Sequence, residues 1–213
     1  MIGIMKRSQA QSILQKLRTM YPDAGCTLDW STPWQLLVAT ILSAQCTDAR
    51  VNIVTKKLFD IAPTVHDSAS LSRSQLEGLI HPCGTFHAKA RAIHESARMI
   101  IDEFDAEVPR SMELMIRLRG VGRKTASVIL STAFGIHEGI AVDTHVMRVS
   151  TRLGLTRSRT QAGIERDLMK LYDRADWGRI SHLLIAHGRA VCTARGHECG
   201  CREFFLQKKP QGH

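Results

Sequence analysis

A chain of 213 residues with 44% apolar side chains can bury a real core, as one large domain or two small ones. Its formal charge of +9 and sequence pI near 9.6 favour a polyanionic partner, nucleic acid before membrane, though a merely basic protein has the same balance. No apolar run is long enough for a signal peptide or a bilayer span, which argues for a cytoplasmic, nucleoid-associated protein with no membrane partner.

Helical spacing runs through nearly the whole chain, and no convincing alternating strand is present. Residues 8–20 place Ile13, Leu14, Leu17 and Met20 on one face. Thr32-Pro33 reads as N-cap and first helical residue of a mostly apolar helix from Trp34 to Ala44. Thr47 or Asp48 caps the next helix, with Val51, Val54 and Leu58 inward and an end before Pro63. A short helix carrying Leu76, Leu79 and Ile80 stops near His81-Pro82-Cys83-Gly84. Residues 86–104 form a long helix facing inward with Ala90, Ile93, Ala97, Ile100 and Phe104. Pro109-Arg110-Ser111 opens a helix with Leu114 and Leu118 buried, followed by Gly120-Val121-Gly122 and a helix from Arg123 to about Phe134, ended by Gly135. Asp143 or Thr144 caps a helix that closes at Gly154, and two more follow at about 160–173 and 176–190.

The stretch from Leu118 to Thr125 carries the most chemistry. Two glycines around one valine suit a tight reversal between helices, because glycine reaches positive φ without a Cβ penalty. The amides that open the second helix lack intrahelical partners and form an anion site. Lys124 sits in that first turn beside Arg123. The helix dipole and a like charge disfavour its ammonium, and any burial would act the same way, so it reads either as a phosphate contact or as a nucleophilic amine. Helix 123–134 is about 18 Å long. The loop 135–142 extends to roughly 26 Å, so Asp143 can return to the hairpin end. There it could activate the amine or stabilise a developing cation, against the plainer role of an N-cap.

Leu118-Arg-Gly-Val-Gly-Arg-Lys124 followed by Val142-Asp143-Thr-His145 resembles the helix–hairpin–helix plus Gly/Pro-Asp DNA glycosylases, in the lysine version of the endonuclease III family. Leu42-Ser43-Ala44-Gln45-Cys46-Thr47-Asp48, Lys89-Ala90 and Ala186-His187-Gly188-Arg189 match further segments in the same order. The resemblance implies an all-α fold of two helical lobes with the active site in the cleft between them. Residues 26–137 would form a barrel lobe containing the helix–hairpin–helix, and 1–25 plus 138–213 a discontinuous second lobe. It implies a monomer that acts on double-stranded DNA containing damaged bases or abasic sites, removing oxidised pyrimidines by base flipping. Lys124 matches the nucleophile that forms a Schiff base at the sugar C1′, with β-elimination then cutting 3′ to the lesion. Asp143 matches the activating aspartate, Gln45 the residue that fills the gap, and Gly120 and Gly122 the backbone approach to a phosphate. Arg123 and Arg119 add candidate DNA contacts, Arg119 standing where the family often has proline. Thr85 stands where the family tends to place an apolar wedge, beside Phe86. His145 reads as a hydrogen-bonding structural residue and His187 as core or surface. The alternatives to a bifunctional enzyme are an AP lyase or DNA-binding repair protein with weak or no glycosylase activity, and a monofunctional glycosylase.

Of six cysteines, Cys26, Cys46 and Cys83 are scattered and Cys192, Cys199 and Cys201 cluster, which in a reducing compartment points to metal before disulfides. The family loop holds a [4Fe–4S] cluster on four cysteines. Cys192 and Cys199 keep its first spacing, Cys201 falls one residue early, and no cysteine follows. The expectation is therefore no cofactor or a degenerate site. A cluster with a non-cysteine fourth ligand is the alternative, and a three-cysteine zinc site using His197 or His187 a lesser one.

Overall fold

The computed structural model describes residues 5–195, and among them the protein is all-α, with eleven α-helices and no strand. They are α1 (Arg7–Met20), α2 (Pro33–Leu42), α3 (Asp48–Ile61), α4 (Val65–Ser70), α5 (Arg73–Ile80), α6 (Phe86–Glu103), α7 (Met112–Met115), α8 (Arg123–Phe134), α9 (Thr144–Leu153), α10 (Gln161–Leu171) and α11 (Trp177–Ala190). None of the described helices is long and apolar enough to cross a membrane. The chain divides into two compact units. One is Thr27–Glu138, and the other joins the residues up to Cys26 to those from Gly139 onward.

In the unit 27–138, α2 is buried on nearly all sides, and α6 and α8 pack against it. Its start is set by Thr32, whose side chain accepts from the Gln35 amide, and by Pro33 in the first helical position. Thr47, not Asp48, caps α3. The helix α4 is not apparent from apolar spacing. It is six residues long, stabilised by a reciprocal cap between Thr64 and Asp67, and it packs on α6. The cap carboxylate of Asp67 sits below its usual range, chiefly through the Thr64 hydroxyl. Lys89, Ala90, Ile93, Ala97 and Ile100 form the buried face of α6.

In the other unit, α1, α9, α10 and α11 enclose one core. Ile13, Leu14 and Leu17 meet Val146, Val149 and Leu153 of α9, Ile164 and Leu168 of α10, and Ile180, Leu183 and Leu184 of α11. α9 and α10 start on Asp143 and Thr160, and α9 ends at Gly154, whose φ of +74° is the left-handed conformation glycine supplies.

Four sequence expectations need correction. Met20 is exposed at the last turn of α1 instead of inward. α2 ends at Leu42, two residues before Ala44. Phe104 caps α6 from outside and lies half-buried under the Arg117 guanidinium. The helix before the hairpin is a single turn whose buried residues are Met112 and Met115, with Leu118 beyond it; Leu114 is only half-buried.

Candidate active site

The hairpin is held from behind by α6. Gly120 has φ +77°, and a Cβ built on it would lie 2.9 Å from the Cβ of Ala92. Glycine is therefore required there both by conformation and by close approach. One turn along α6, the Ser96 hydroxyl donates to the Arg119 carbonyl at 3.1 Å. Val121 plugs the turn from inside at 5% exposure, and its amide donates to the Leu118 carbonyl.

Gly122 is different. Its φ of −92° suits any residue, and a Cβ there meets nothing within 4 Å. What glycine contributes at this position is open access to the backbone. Gly122 starts α8, and no side chain caps that helix, whereas Thr32, Thr47, Thr64, Ser72, Ser111, Asp143 and Thr160 each cap the helix they precede. The positive end of the α8 dipole is thus presented at an exposed glycine, the form of an anion site.

Lys124 lies in that first turn and is exposed, so burial does not add to the effects of the dipole and of Arg123. Arg123 reaches the Glu138 carbonyl at 3.3 Å. Arg119 pairs with Glu95 at 3.2 Å, and Glu95 also accepts from Arg91 at 2.6 Å. One carboxylate shared between two guanidinium groups leaves a net positive surface beside the hairpin. These pairs are exposed and add little to stability.

Gln45 and Thr85 are both exposed, and both are non-glycine residues in the left-handed region, with φ of 54° and 40°. Gln45 sits in the turn between α2 and α3, and Thr85 precedes α6. Phe86 beside it is half-buried, with its ring centroid 4.5 Å from His81 and 4.1 Å from His87, so it is not a core residue. Sequence reasoning missed what joins these turns. The Lys89 ammonium, on a side chain 5% exposed, donates to the carbonyls of Leu42 at 2.9 Å, Ala44 at 2.7 Å and Cys83 at 2.7 Å. Burial lowers its pKa, an effect opposed by the nearby Cys83 and Cys46. The available signal was a cation on the apolar stripe of α6, four residues before Ile93.

In the other unit, Asp143 is fixed from both directions. One carboxylate oxygen accepts from the Val146 amide at 2.8 Å, capping α9, and the other lies 3.3 Å from His145 Nδ1. The segment leading to it is buried through Ile140, Ala141 and Val142. The buried Glu165 accepts from the Ile140 amide at 3.2 Å, and the Ser181 hydroxyl donates to the Ala141 carbonyl. Behind His145, α11 approaches so closely at Gly188 that a Cβ there would lie 3.1 Å from the His145 Cβ. His187 is core, 1% exposed, with Nδ1 2.9 Å from the Tyr21 hydroxyl, and burial lowers its pKa.

Of the clustered cysteines, Cys192 is fully buried after α11, and its sulfur accepts from Arg152 at 3.3 Å. Cys199, Cys201 and His197 lie outside the described residues. The donor set offers three thiolates, one short of the four that a [4Fe–4S] cluster ordinarily takes. Cys46 and Cys83 belong to the unit 27–138 and interact with each other.

An uncapped glycine hairpin carrying an exposed lysine, on an all-α scaffold, defines a helix–hairpin–helix protein. In agreement, the family described as HhH-GPD superfamily base excision DNA repair protein matches residues 38–174. The chain is 53% identical over 195 residues to the endonuclease III of Synechocystis sp., covering 92% of this chain and 89% of that one. It is 41% identical to the endonuclease III of Bacillus subtilis, covering 94% of each. Its fold matches that of a trapped endonuclease III–DNA covalent intermediate with a TM-score of 0.85 at 43% identity, covering 90% of both chains. The chain belongs to the endonuclease III family of the HhH-GPD superfamily, a family of base-excision-repair DNA glycosylases and AP lyases.

Proposed function

We propose that this protein removes oxidised pyrimidines from duplex DNA and cleaves the resulting abasic site by β-elimination. Lys124 is the nucleophile. Its amine attacks C1′, the base departs, and the imine so formed makes the 2′ proton acidic enough for elimination of the 3′ phosphate. Asp143 activates the amine or stabilises the cation developing on the sugar. Gly120 shapes the hairpin, and Gly122 opens its amides to a phosphate. Arg119 and Arg123 add positive charge beside it. Gln45 and Thr85 occupy the duplex at the flipped base.

The observation that carries this reading is Lys124, exposed in the first turn of a helix that no side chain caps. Lys89, by contrast, is buried against three carbonyls. The trapped state of the matched structure is a covalent protein–DNA intermediate, the kind of state this reading requires here.

Borohydride added to the protein with duplex DNA holding one abasic site should trap a covalent adduct, and Lys124→Gln should abolish it. Excision of an oxidised pyrimidine by wild type without any adduct would instead assign a monofunctional glycosylase. Thr85 favours a second reading, an AP lyase with weak base excision, because a short hydroxyl side chain wedges poorly between bases. That reading predicts an adduct on abasic DNA with little release of an oxidised base. The chain acts as a cytoplasmic monomer without a four-thiolate iron–sulfur cluster. A broad absorbance around 400 nm in the purified protein, the expected order of a thiolate-held cluster, would refute the last point.

A further inference from the structure

The two turns that carry Gln45 and Thr85 each also carry a cysteine. Cys46 follows Gln45, and Cys83 lies two residues before Thr85. The structure brings them together. The Lys89 ammonium binds the carbonyls of Ala44 and Cys83 at 2.7 Å each. Thr47 and Pro82, chain neighbours of the two cysteines, line one groove of about 560 Å³ between α3 and α5. The two thiols lie near enough to influence each other, and neither is in a disulfide. Their surroundings are electropositive: Lys89 lies beside both thiols, and Arg50 and Lys57 line the groove.

The two sulfurs are not equivalent. Cys46 is half-buried, while Cys83 is 1% exposed. Burial, followed by the neighbouring Cys46, pushes the Cys83 thiol up to about 11, so Cys83 stays protonated. A reactive thiol needs access, and Cys46 has it, with Lys89 nearby. A buried thiol in contact with it suits the resolving partner.

We propose that Cys46 and Cys83 form a reversible disulfide in response to hydrogen peroxide, and that closing it weakens DNA binding by pulling the Gln45 turn toward the protein interior. The Cys46 thiolate attacks the peroxide O–O bond, giving a sulfenic acid and, after proton uptake, one water. The Cys83 sulfur then displaces the sulfenic hydroxyl, which leaves as a second water carrying the Cys83 proton. Two thiols lose two hydrogens and one peroxide becomes two waters. A dithiol reverses the bond by thiol–disulfide exchange. In a reducing compartment such a bond is transient and signals oxidant. Bond formation brings the sulfurs to about 2.05 Å. Because Cys83 is fully buried and Cys46 only half-buried, Cys46 is the side that moves, taking Gln45 with it.

The effect on DNA rests on the reading of Gln45 and Thr85 as DNA contacts, whereas bond formation does not. The full chain is reduced, or treated with hydrogen peroxide that is then removed, and digested without reductant for mass mapping. Its affinity is measured for a duplex holding one reduced abasic-site analogue. The expected result is a Cys46–Cys83 linked peptide pair two hydrogens lighter, with affinity weakened by roughly tenfold and restored by dithiothreitol. Cys46→Ser should form no link and keep its affinity in peroxide. Cys83→Ala should accumulate a sulfenic acid on Cys46 that dimedone captures, which tests the order of steps without needing the bond. Absence of the linked pair overturns the proposal, as does a linked pair with unchanged affinity, or a loss of affinity that persists in Cys46→Ser. A reduced protein that does not bind the duplex refutes the functional reading and the DNA effect with it, while the mapped link still decides the cysteine pair.

Discussion

The two helix starts that hold the proposed catalytic residues are built in opposite ways. At α8 the start is left open: Gly122 supplies no side chain, no cap is made, and Lys124 stands exposed. At α9 the start is closed: Asp143 satisfies the Val146 amide itself, and Glu165 and Ser181 hold the segment before it. The open start leaves its dipole and amides available to an anion. The closed start trades that capacity for a carboxylate held in one place. Open amides and a fixed carboxylate thus fall at separate helix termini, and the fold rather than the local turn supplies rigidity to each.

This contrast breaks most visibly at Asp143. Asparagine can still cap α9 but carries no charge, so Asp143→Asn should lower adduct formation by roughly a hundredfold or more. Stability should stay within about 0.5 kcal/mol of wild type. Equal adduct yields would reduce Asp143 to a cap. Next in size is the glycine pair. Gly120→Ala forces a Cβ against Ala92 at positive φ and should cost about 3 kcal/mol, read as a melting temperature lower by about 9 °C. Gly122→Ala should lower the melting temperature by no more than about 3 °C, the cost of alanine at a helix start, and weaken binding to duplex DNA by a few fold. If both glycines behaved alike in either assay, the distinction between a shaping and an opening glycine would fail. Asp143→Ala should lose, beyond its chemistry, about 1 kcal/mol of capping, measurable in urea.

The smallest effect concerns acid. Burial lowers the pKa of His187 and of His182, the latter with help from Arg179 and Arg189. Unfolded, both take up protons around pH 6.5; folded, they resist. The unfolded state therefore binds more protons, and stability, complete above that pH, is lost as pH falls through the folded values. Denaturant midpoints measured from pH 7.5 down to pH 5 should decline, and His187→Gln should flatten the decline.

Much of this was legible from residues alone. Thr32-Pro33 announced α2, Gly154 ended α9, and the Gly-Val-Gly turn with Lys124 was visible because glycine at positive φ and an uncapped start leave compositional traces. Other features left weaker ones. α4 has too few apolar residues for a period, and its Thr64–Asp67 cap alone identifies it. α7 is one turn, so its buried side chains do not follow the spacing that suggested Leu114. The exposure of Lys124 depends on neighbours distant in sequence. Lys89 is the instructive case: a cation on an apolar stripe reads as an error of pattern until its three carbonyl partners, two of them more than forty residues away, are in view.

Lys89 also links its surroundings. A single ammonium holds the end of α2, the turn before α3 and the 3-10 turn at residues 81–83. Releasing it frees all three at once, so these segments belong to one cooperative opening unit instead of fraying separately. In native-state hydrogen exchange, the amide of Cys46, bonded to Ser43, and that of Lys89, bonded to Thr85, should therefore report a common opening free energy. Lys89→Met should separate them into two. The turns carrying Gln45 and Thr85 would then be tied together by one buried side chain.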